Sequence, residues 1–244
     1  MSDEARSVRV MTWNIHGGIG RDGRHDLARV VALVRRHNPD IVALQEVDSR
    51  GRQNVATPVL SFLTQALGSH AAEARTITAP DGHYGHVLIS RWPLSRQVLH
   101  DVSVTGREPR FAIEAIAATD HGPLHLTAVH LGFMLGERRH HADKLAHLVK
   151  AAPETFVMLG DFNEWPWRDA VGRGLSSTLP GITRLRTYHA RFPLLRLDRI
   201  YCRPGSALLR SWTDGAAAEA SDHLPVFADI QPWPLRPPGG EATA

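Results

Sequence analysis

The sequence predicts a single layered α/β domain, on three observations: short apolar, β-branched segments recur along it, few helical stretches interrupt them, and no linker divides residues 8–231. The strand-like segments are residues 8–13, 41–47, 86–90, 111–118, 124–131, 155–159, 197–202 and 226–230. Residues 25–37 read as a helix, because Leu27, Val30, Val31 and Val34 recur at helical spacing opposite Arg29, Arg35 and Arg36, and Pro39 ends the pattern. Residues 57–67 read as a second helix, with Thr57 as cap, Pro58 in the first turn and Gly68 as stop. Residues 136–150 read as a third. Ala142, Leu145, Leu148 and Val149 line one side of it, and His140, His141 and His147 sit on a basic, solvated face. Many strands with few helices argue for packed layers, not a bundle or a barrel.

A chain of 244 residues, 43% hydrophobic and 22% charged, can build a full core. The net charge of +3 fits a phosphate-bearing substrate but promises only a small electrostatic footprint on nucleic acid. Cys202 is the one cysteine, so no internal disulfide supports the fold, and its apolar setting marks a buried strand residue. Residues 1–7 are polar, with Asp3 and Glu4 where a secretory signal would be apolar, and no apolar run approaches the roughly 20 residues that span a bilayer. A cytoplasmic protein with no stable membrane insertion is expected, with residues 1–7 disordered and the Pro- and Gly-rich residues 232–244 a flexible tail.

Function enters where polar residues interrupt the apolar strands. Residues 8–13 end in Asn14, residues 41–44 in Gln45-Glu46, residues 124–129 in His130, and residues 155–159 run into Gly160-Asp161-Phe162-Asn163. Asp198 follows Leu197 at once, and Ser221-Asp222-His223 precedes the last strand. A carboxylate at the end of a buried strand costs desolvation energy unless it is paired or metal-bound. One such residue is ordinary turn chemistry, but in layered α/β folds many strand ends converge on one crevice, so the set reads as a site. Carboxylate and amide oxygens suit a hard cation, Mg²⁺ or Mn²⁺, while His16, His130 and His223 keep zinc conceivable. Histidines beside carboxylates supply proton transfer. No G-x-S-x-G elbow and no phosphate-binding G-x-x-x-x-G-K-[ST] loop occurs. Direct, metal-assisted attack of water on phosphorus is the reaction class these residues predict.

The segments MTWNIHGG (11–18), DIVALQEVD (40–48), YGHVLISRWPL (84–94), LTAVHLG (126–132), MLGDFNEWP (158–166), LDRIY (197–201) and SDHLPV (221–226) together resemble the endonuclease/exonuclease/phosphatase superfamily, the DNase I-like fold. They occur in family order and cover essentially the whole folded chain. The resemblance implies a four-layer αββα sandwich of two packed, mostly antiparallel sheets with the site at one edge. It implies metal ligation by Glu46 with Asn14 beside it and Asp222 contributing. Asp161 and Asn163 would orient the attacking water, Asp198 would hold His223 at the phosphate, and His130 would act near the leaving group. Arg110, in PRFAIEA, resembles a family arginine that faces phosphate. Abasic-site nucleases of this fold carry Tyr where His130 stands, so the chain leans toward the DNase I and sphingomyelinase side, and its nearest look is that of small bacterial metal-dependent hydrolases. Two departures stand out: DNase I pairs that histidine with an upstream glutamate, whereas residues 82–90 hold no acid and only Asp81 is close, and many relatives carry Asn where His86 stands.

A nucleic-acid phosphodiester, DNA or RNA, is expected ahead of a phospholipid or a small phosphoester. Arg50 and Arg52 follow the metal carboxylate closely enough to meet a phosphate. For a lipid, Phe133-Met134-Leu135 and Pro193-Leu194-Leu195 offer an apolar rim, although the preferred reading buries them in the core. A non-catalytic binding module on the same fold is the alternative from another class. Against it, no metal carboxylate or histidine of the family pattern is missing.

Overall fold

The computed structural model describes residues 7–52, 57–152, 155–165 and 169–231, so the expected N-terminal disorder (Ser7 apart) and C-terminal tail lie outside the described residues. In chain order the strands are β1 (Val8–Asn14), β2 (Ile41–Asp48), β3 (His70–Ala79), β4 (Gly82–Ser90), β5 (Leu94–Asp101), β6 (Phe111–Thr119), β7 (Gly122–His130), β8 (Phe156–Asp161), β9 (Gly181–Ile182), β10 (Asp198–Arg203), β11 (Leu208–Trp212) and β12 (Val226–Ile230). The helices are α1 (Leu27–His37), α2 (Val59–Leu67), α3 (Leu135–Ala151) and α4 (Ala170–Leu175).

The strands form two six-stranded sheets, ordered β11-β12-β1-β2-β4-β3 and β5-β6-β7-β8-β10-β9. Each contains one parallel pair, β1 with β2 and β7 with β8, in an otherwise antiparallel ladder. Alternation along the strands builds three apolar layers. Val10, Ile41, Leu88, Leu126, Leu159 and Ile200 meet between the sheets. Met11, Val42, Leu44 and Ile89 face α1 and α2, and Val129, Phe156, Met158 and Tyr201 face α3 and α4. The αββα sandwich follows from central strands that are apolar on both faces.

Several local expectations need correction. Thr57 does not cap α2: Pro58 stands at the cap position with no side-chain hydrogen bond, since its fixed φ starts the helix without one. The face of α3 that carries His140, His141 and His147 is not uniformly solvated, because His141 is buried at 1% exposure beside the buried Arg138 and Glu137. Burial and the positive charges of His140, Arg110 and Lys144 push His141 down to about 4, and a neutral imidazole is cheap to bury. Phe133 at 64% and Leu194 at 70% are exposed, not core, because both lie on loops beyond the strand ends.

Candidate active site

The ends of the central strands meet at one mouth of the sandwich, and backbone register explains which residues face one another. His130 is the last residue of β7 and Asp161 the last of β8, and the parallel register sets them side by side. Antiparallel pairing of β8 with β10 sets Asp198 opposite Asp161. Gly160 allows the close approach of β7 and β8, since a Cβ there would lie 2.0 Å from the Val129 carbonyl oxygen. On the other sheet Asn14 ends β1, and a bulge between Leu44 and Val47 turns Glu46 out of the ladder at φ 57°. His16 and Asn163 also take left-handed backbone, at φ 48° and 51°. Non-glycine residues in that region cluster where function overrides backbone preference.

Asn14 joins the two sheets. Its Nδ2 donates to Glu46 Oε1 at 2.8 Å and to Asp161 Oδ2 at 3.0 Å, while its Oδ1 accepts from His16 N at 3.1 Å. Ser221 Oγ donates to the Asn14 carbonyl oxygen at 2.7 Å and accepts from His223 N at 3.1 Å, tying the Ser221-Asp222-His223 turn to β1. Asn163 N donates to Asp161 Oδ1 at 2.9 Å, and its side-chain amide donates to the Leu131 carbonyl at 2.9 Å. His223 Nδ1 lies 2.8 Å from Asp198 Oδ2, with the Tyr188 ring 4.8 Å from the imidazole.

His130 has a different partner. Its Nδ1 is 3.1 Å from Arg110 Nη1, and its Nε2 is 3.9 Å from Asp161 Oδ2. A guanidinium can only donate, so Nδ1 accepts and the ring proton sits on Nε2, facing Asp161. Glu108 holds Arg110 from the other side, at 3.1 Å. Asp81 does not take the place of an upstream acid, because its Oδ2 accepts from Gly51 N at 2.9 Å. Arg50 hydrogen-bonds to both Asp48 oxygens and stacks 5.0 Å over Tyr84. Arg52 donates to the Asp48 and Arg50 carbonyls. His86 is buried behind this group and pushed down to about 4 by burial.

The electrostatics follow from these contacts. Burial and the neighbouring Asp198 charge raise Asp161 to about 7. Burial pulls His223 down, but the charge and hydrogen bond of Asp198, with Asp161 and Asp222 behind it, outweigh this and lift it to about 10. Burial pushes His130 well below its ordinary value, and Arg110, His86 and His223 push the same way. The Cys202 thiol is buried and raised to about 11, which fits a strand residue and not a nucleophile.

Two acidic groupings could hold a cation. Asp161, Asp198 and His223 offer ligand atoms within 4.8 Å of one another. A His223 that keeps its proton has no lone pair for a metal, however, and it already engages Asp198. Glu46 and Asp222 fit better, because they are hard carboxylates at the open mouth beside Asn14. Glu46 has no cationic partner among the described residues, and Asp222 has only His16, at 3.8 Å. Asp198 Oδ1 is buried without a hydrogen-bond partner among the described residues. The mouth therefore carries uncompensated negative charge, which a divalent cation satisfies. The residues fit the metal.

Sequence reading missed Tyr188, Thr187, whose Oγ1 accepts from Asp198 N at 3.3 Å, and Glu108. Only Glu108 left a trace, as an acid two residues before Arg110.

Comparison with known proteins agrees with this fold. The chain matches the Endonuclease/Exonuclease/phosphatase family over residues 11–223. The uncharacterized protein YbhP of Escherichia coli K12 is 33% identical over 250 residues, covering 92% of this chain and 96% of that protein. An endonuclease/exonuclease/phosphatase from Beutenbergia cavernae superposes with a TM-score of 0.73 at 20% identity, over 92% of this chain and 71% of that one. The 3′ phosphatase NExo from Neisseria, bound to a product DNA hairpin, gives a TM-score of 0.66 at 18% identity, over 91% and 99%. Matched along most of its length in both sequence and fold, the chain belongs to the endonuclease/exonuclease/phosphatase family.

Proposed function

We propose that this chain is a divalent-metal-dependent phosphodiesterase that hydrolyses phosphate esters by direct attack of water, with nucleic acid as its substrate. The carrying observation is the line His130–Asp161–Asn14–Glu46, which crosses from one sheet to the other beside the Asp198–His223 pair. Members of the family are hydrolases of phosphoester bonds and depend on divalent metal. Glu46, Asn14 and Asp222 would hold Mg²⁺ or Mn²⁺, which supplies stabilisation of the charge that develops on the phosphoryl oxygens.

The chain's own residues do the rest. Asp161, fixed by Asn14 and by the Asn163 amide, orients the water and takes its proton as the new P–O bond forms. His223, kept protonated by Asp198, donates to a non-bridging phosphate oxygen. His130 offers a neutral Nε2–H from the opposite side, at the leaving oxygen, as the ester bond breaks. Nucleic acid is favoured because relatives of this fold bind it, NExo among them. A phospholipid is the second reading, favoured by exposed Phe133, Met134, Phe192 and Leu194 on loops after β7 and before β10. Among the described residues no helix is long and apolar enough to cross a membrane.

The test is a panel of plasmid DNA, RNA, bis-p-nitrophenyl phosphate and phospholipid, assayed in EDTA and then with Mg²⁺ or Mn²⁺. Chelation should abolish hydrolysis and either ion should restore it. Full turnover in excess chelator overturns the metal reading, and turnover of phospholipid alone overturns the substrate.

A further inference from the structure

Residues 183–197 form a ridge with two sides. The inner side closes on the candidate site: Leu224 N donates to the Thr187 carbonyl at 2.8 Å and Ala190 N to the Asp222 carbonyl at 2.7 Å, and Tyr188 packs on His223. The outer side walls a cavity of about 360 Å³ lined by Asp169, Arg184, Arg186, Leu194, Arg196 and Arg199. A neighbouring cavity of about 190 Å³ shares Asp169, Arg184, Arg196 and Arg199 and adds Arg173.

Charge in this cavity is one-sided. Arg199 is buried and donates to Asp169 Oδ2 at 2.7 Å, to the Tyr201 hydroxyl at 2.9 Å and to the Arg196 carbonyl at 3.0 Å. Asp169 Oδ1 is spent on Gly172 N, at 2.8 Å. Both oxygens of the one carboxylate in the lining are therefore engaged, and its charge is paired with Arg199. Arg173, Arg184, Arg186 and Arg196 are exposed and have no acidic partner among the described residues. Guanidinium groups that line one cavity repel one another unless an anion joins them, and their planar forks match phosphate oxygens. On the ridge itself Phe192 and Leu194 are each 70% exposed, and the Arg191 guanidinium lies 5.3 Å over the Phe192 ring. Arginines interleaved with an exposed aromatic make up the composition of a platform for unpaired bases.

We propose that this cavity binds the non-scissile phosphates of a single-stranded polynucleotide, whose strand crosses the ridge at Phe192 to reach the candidate site. The position of the cleaved bond rests on the phosphodiesterase reading, whereas the binding does not. A strand is preferred to a membrane because the arginines, though exposed, line a concave wall: a flexible thread of phosphates can follow it, and a flat sheet of headgroups meets only its rim.

The experiment measures anisotropy of a fluorescein-labelled oligothymidylate with the full chain, in EDTA, across a salt series. Replacing Arg184, Arg186 and Arg196 together by Ala should lower the slope of log K against log salt by about 2, from roughly 0.7 per phosphate contact on a single strand. Binding at about 0.1 M salt should weaken on the order of 100-fold. Phe192→Ala should weaken binding by roughly 5- to 150-fold and leave the slope unchanged, as loss of one stacked base does. Both variants should hydrolyse bis-p-nitrophenyl phosphate like the wild type and unfold at the same temperature. An unchanged slope in the triple variant overturns the proposal, as does a wild type that binds no oligonucleotide. Loss of binding to phosphatidylcholine–phosphatidylserine vesicles, with oligonucleotide binding intact, overturns it in favour of a membrane. If the wild type hydrolyses nothing but the triple variant still loses the salt-dependent binding, the phosphodiesterase reading fails and this site stands.

Discussion

Two buried imidazoles flank Asp161, and they keep opposite company. His223 turns its Nδ1 to Asp198, at 2.8 Å, while His130 turns the same atom to Arg110, at 3.1 Å. Burial disfavours the charged form of both. At His223 surrounding carboxylates outweigh burial, and the ring is lifted to about 10. At His130 the guanidinium adds to burial, and the ring stays neutral. Both rings are buried alike, so the difference teaches that the charge of the neighbours, carboxylates at one ring and a guanidinium at the other, decides which proton each brings. One histidine arrives charged; the other arrives as a fixed tautomer.

The largest break in this contrast is expected from His223→Ala, which should lower turnover of bis-p-nitrophenyl phosphate by roughly 10²–10⁴. Asp198→Asn should cost less, and the double variant should do no worse than His223→Ala alone, because the pair acts as a unit. Simple additivity in that cycle would dissolve the pairing. Next comes Arg110→Met, expected to cost roughly 10–100-fold, the usual size when a partner that fixes a ring's orientation is lost. Its direct readout is the ¹⁵N spectrum of His130. The wild type should show the Nε2–H form across the neutral range. The variant should show mixed tautomers and a ring that protonates at higher pH, and an unchanged spectrum would remove Arg110 from the role.

The smallest effect sharpens the rule with a carboxyl whose hydrogen-bond donors are backbone amides. Glu164 is fully buried and accepts from Ala170 N at 3.0 Å and Val171 N at 3.4 Å. Burial and the Asp169 charge raise it to about 7 from 4.5. A carboxyl whose folded value is raised holds its proton more tightly in the folded state, so stability falls as pH climbs from 4.5 to about 7 and then levels off. Glu164→Gln lacks that fall. It should gain about 2 kcal/mol on the wild type above neutrality and nothing in acid, at about 1.4 kcal/mol per unit and discounted for relaxation. Thermal unfolding across this range checks it, and parallel pH profiles for the two proteins would count against Glu164.

How much of this was legible in the sequence depends on position in the sheets. The strands missed are β3, β5, β9 and β11, and these are the four sheet edges. Central strands must be apolar on both faces and so announce themselves. An edge strand carries charge, as β5 does with Arg96 and Asp101 and β3 with Glu73 and Arg75, partly to discourage pairing with another chain. The strand-end polar residues were visible for the same reason, as interruptions of apolar runs. What could not be seen was which of them touch. Arg110 reaches His130 through the pairing of β6 with β7, and Asn14 reaches Asp161 across the sandwich. Neither contact has a spacing in the sequence. The burial of His141 was equally hidden, because a histidine can shed its charge and no residue pattern records that it does.

The amide of Asn14 has a consequence for how the molecule is made. It grips Glu46 on its own sheet and Asp161 on the facing one, so the centre has no existence before the two sheets dock. Residues as distant along the chain as 14 and 223 must be in place, and β1 pairs with β12 from opposite ends of the fold. Such non-local closure belongs to the slow, millisecond-to-second class of folding events. During refolding, a chain with both sheets formed but not yet joined would give much of the far-ultraviolet signal and neither bind a cation tightly nor turn over substrate. Regain of activity would then time the closing of the sandwich, separately from the formation of its strands.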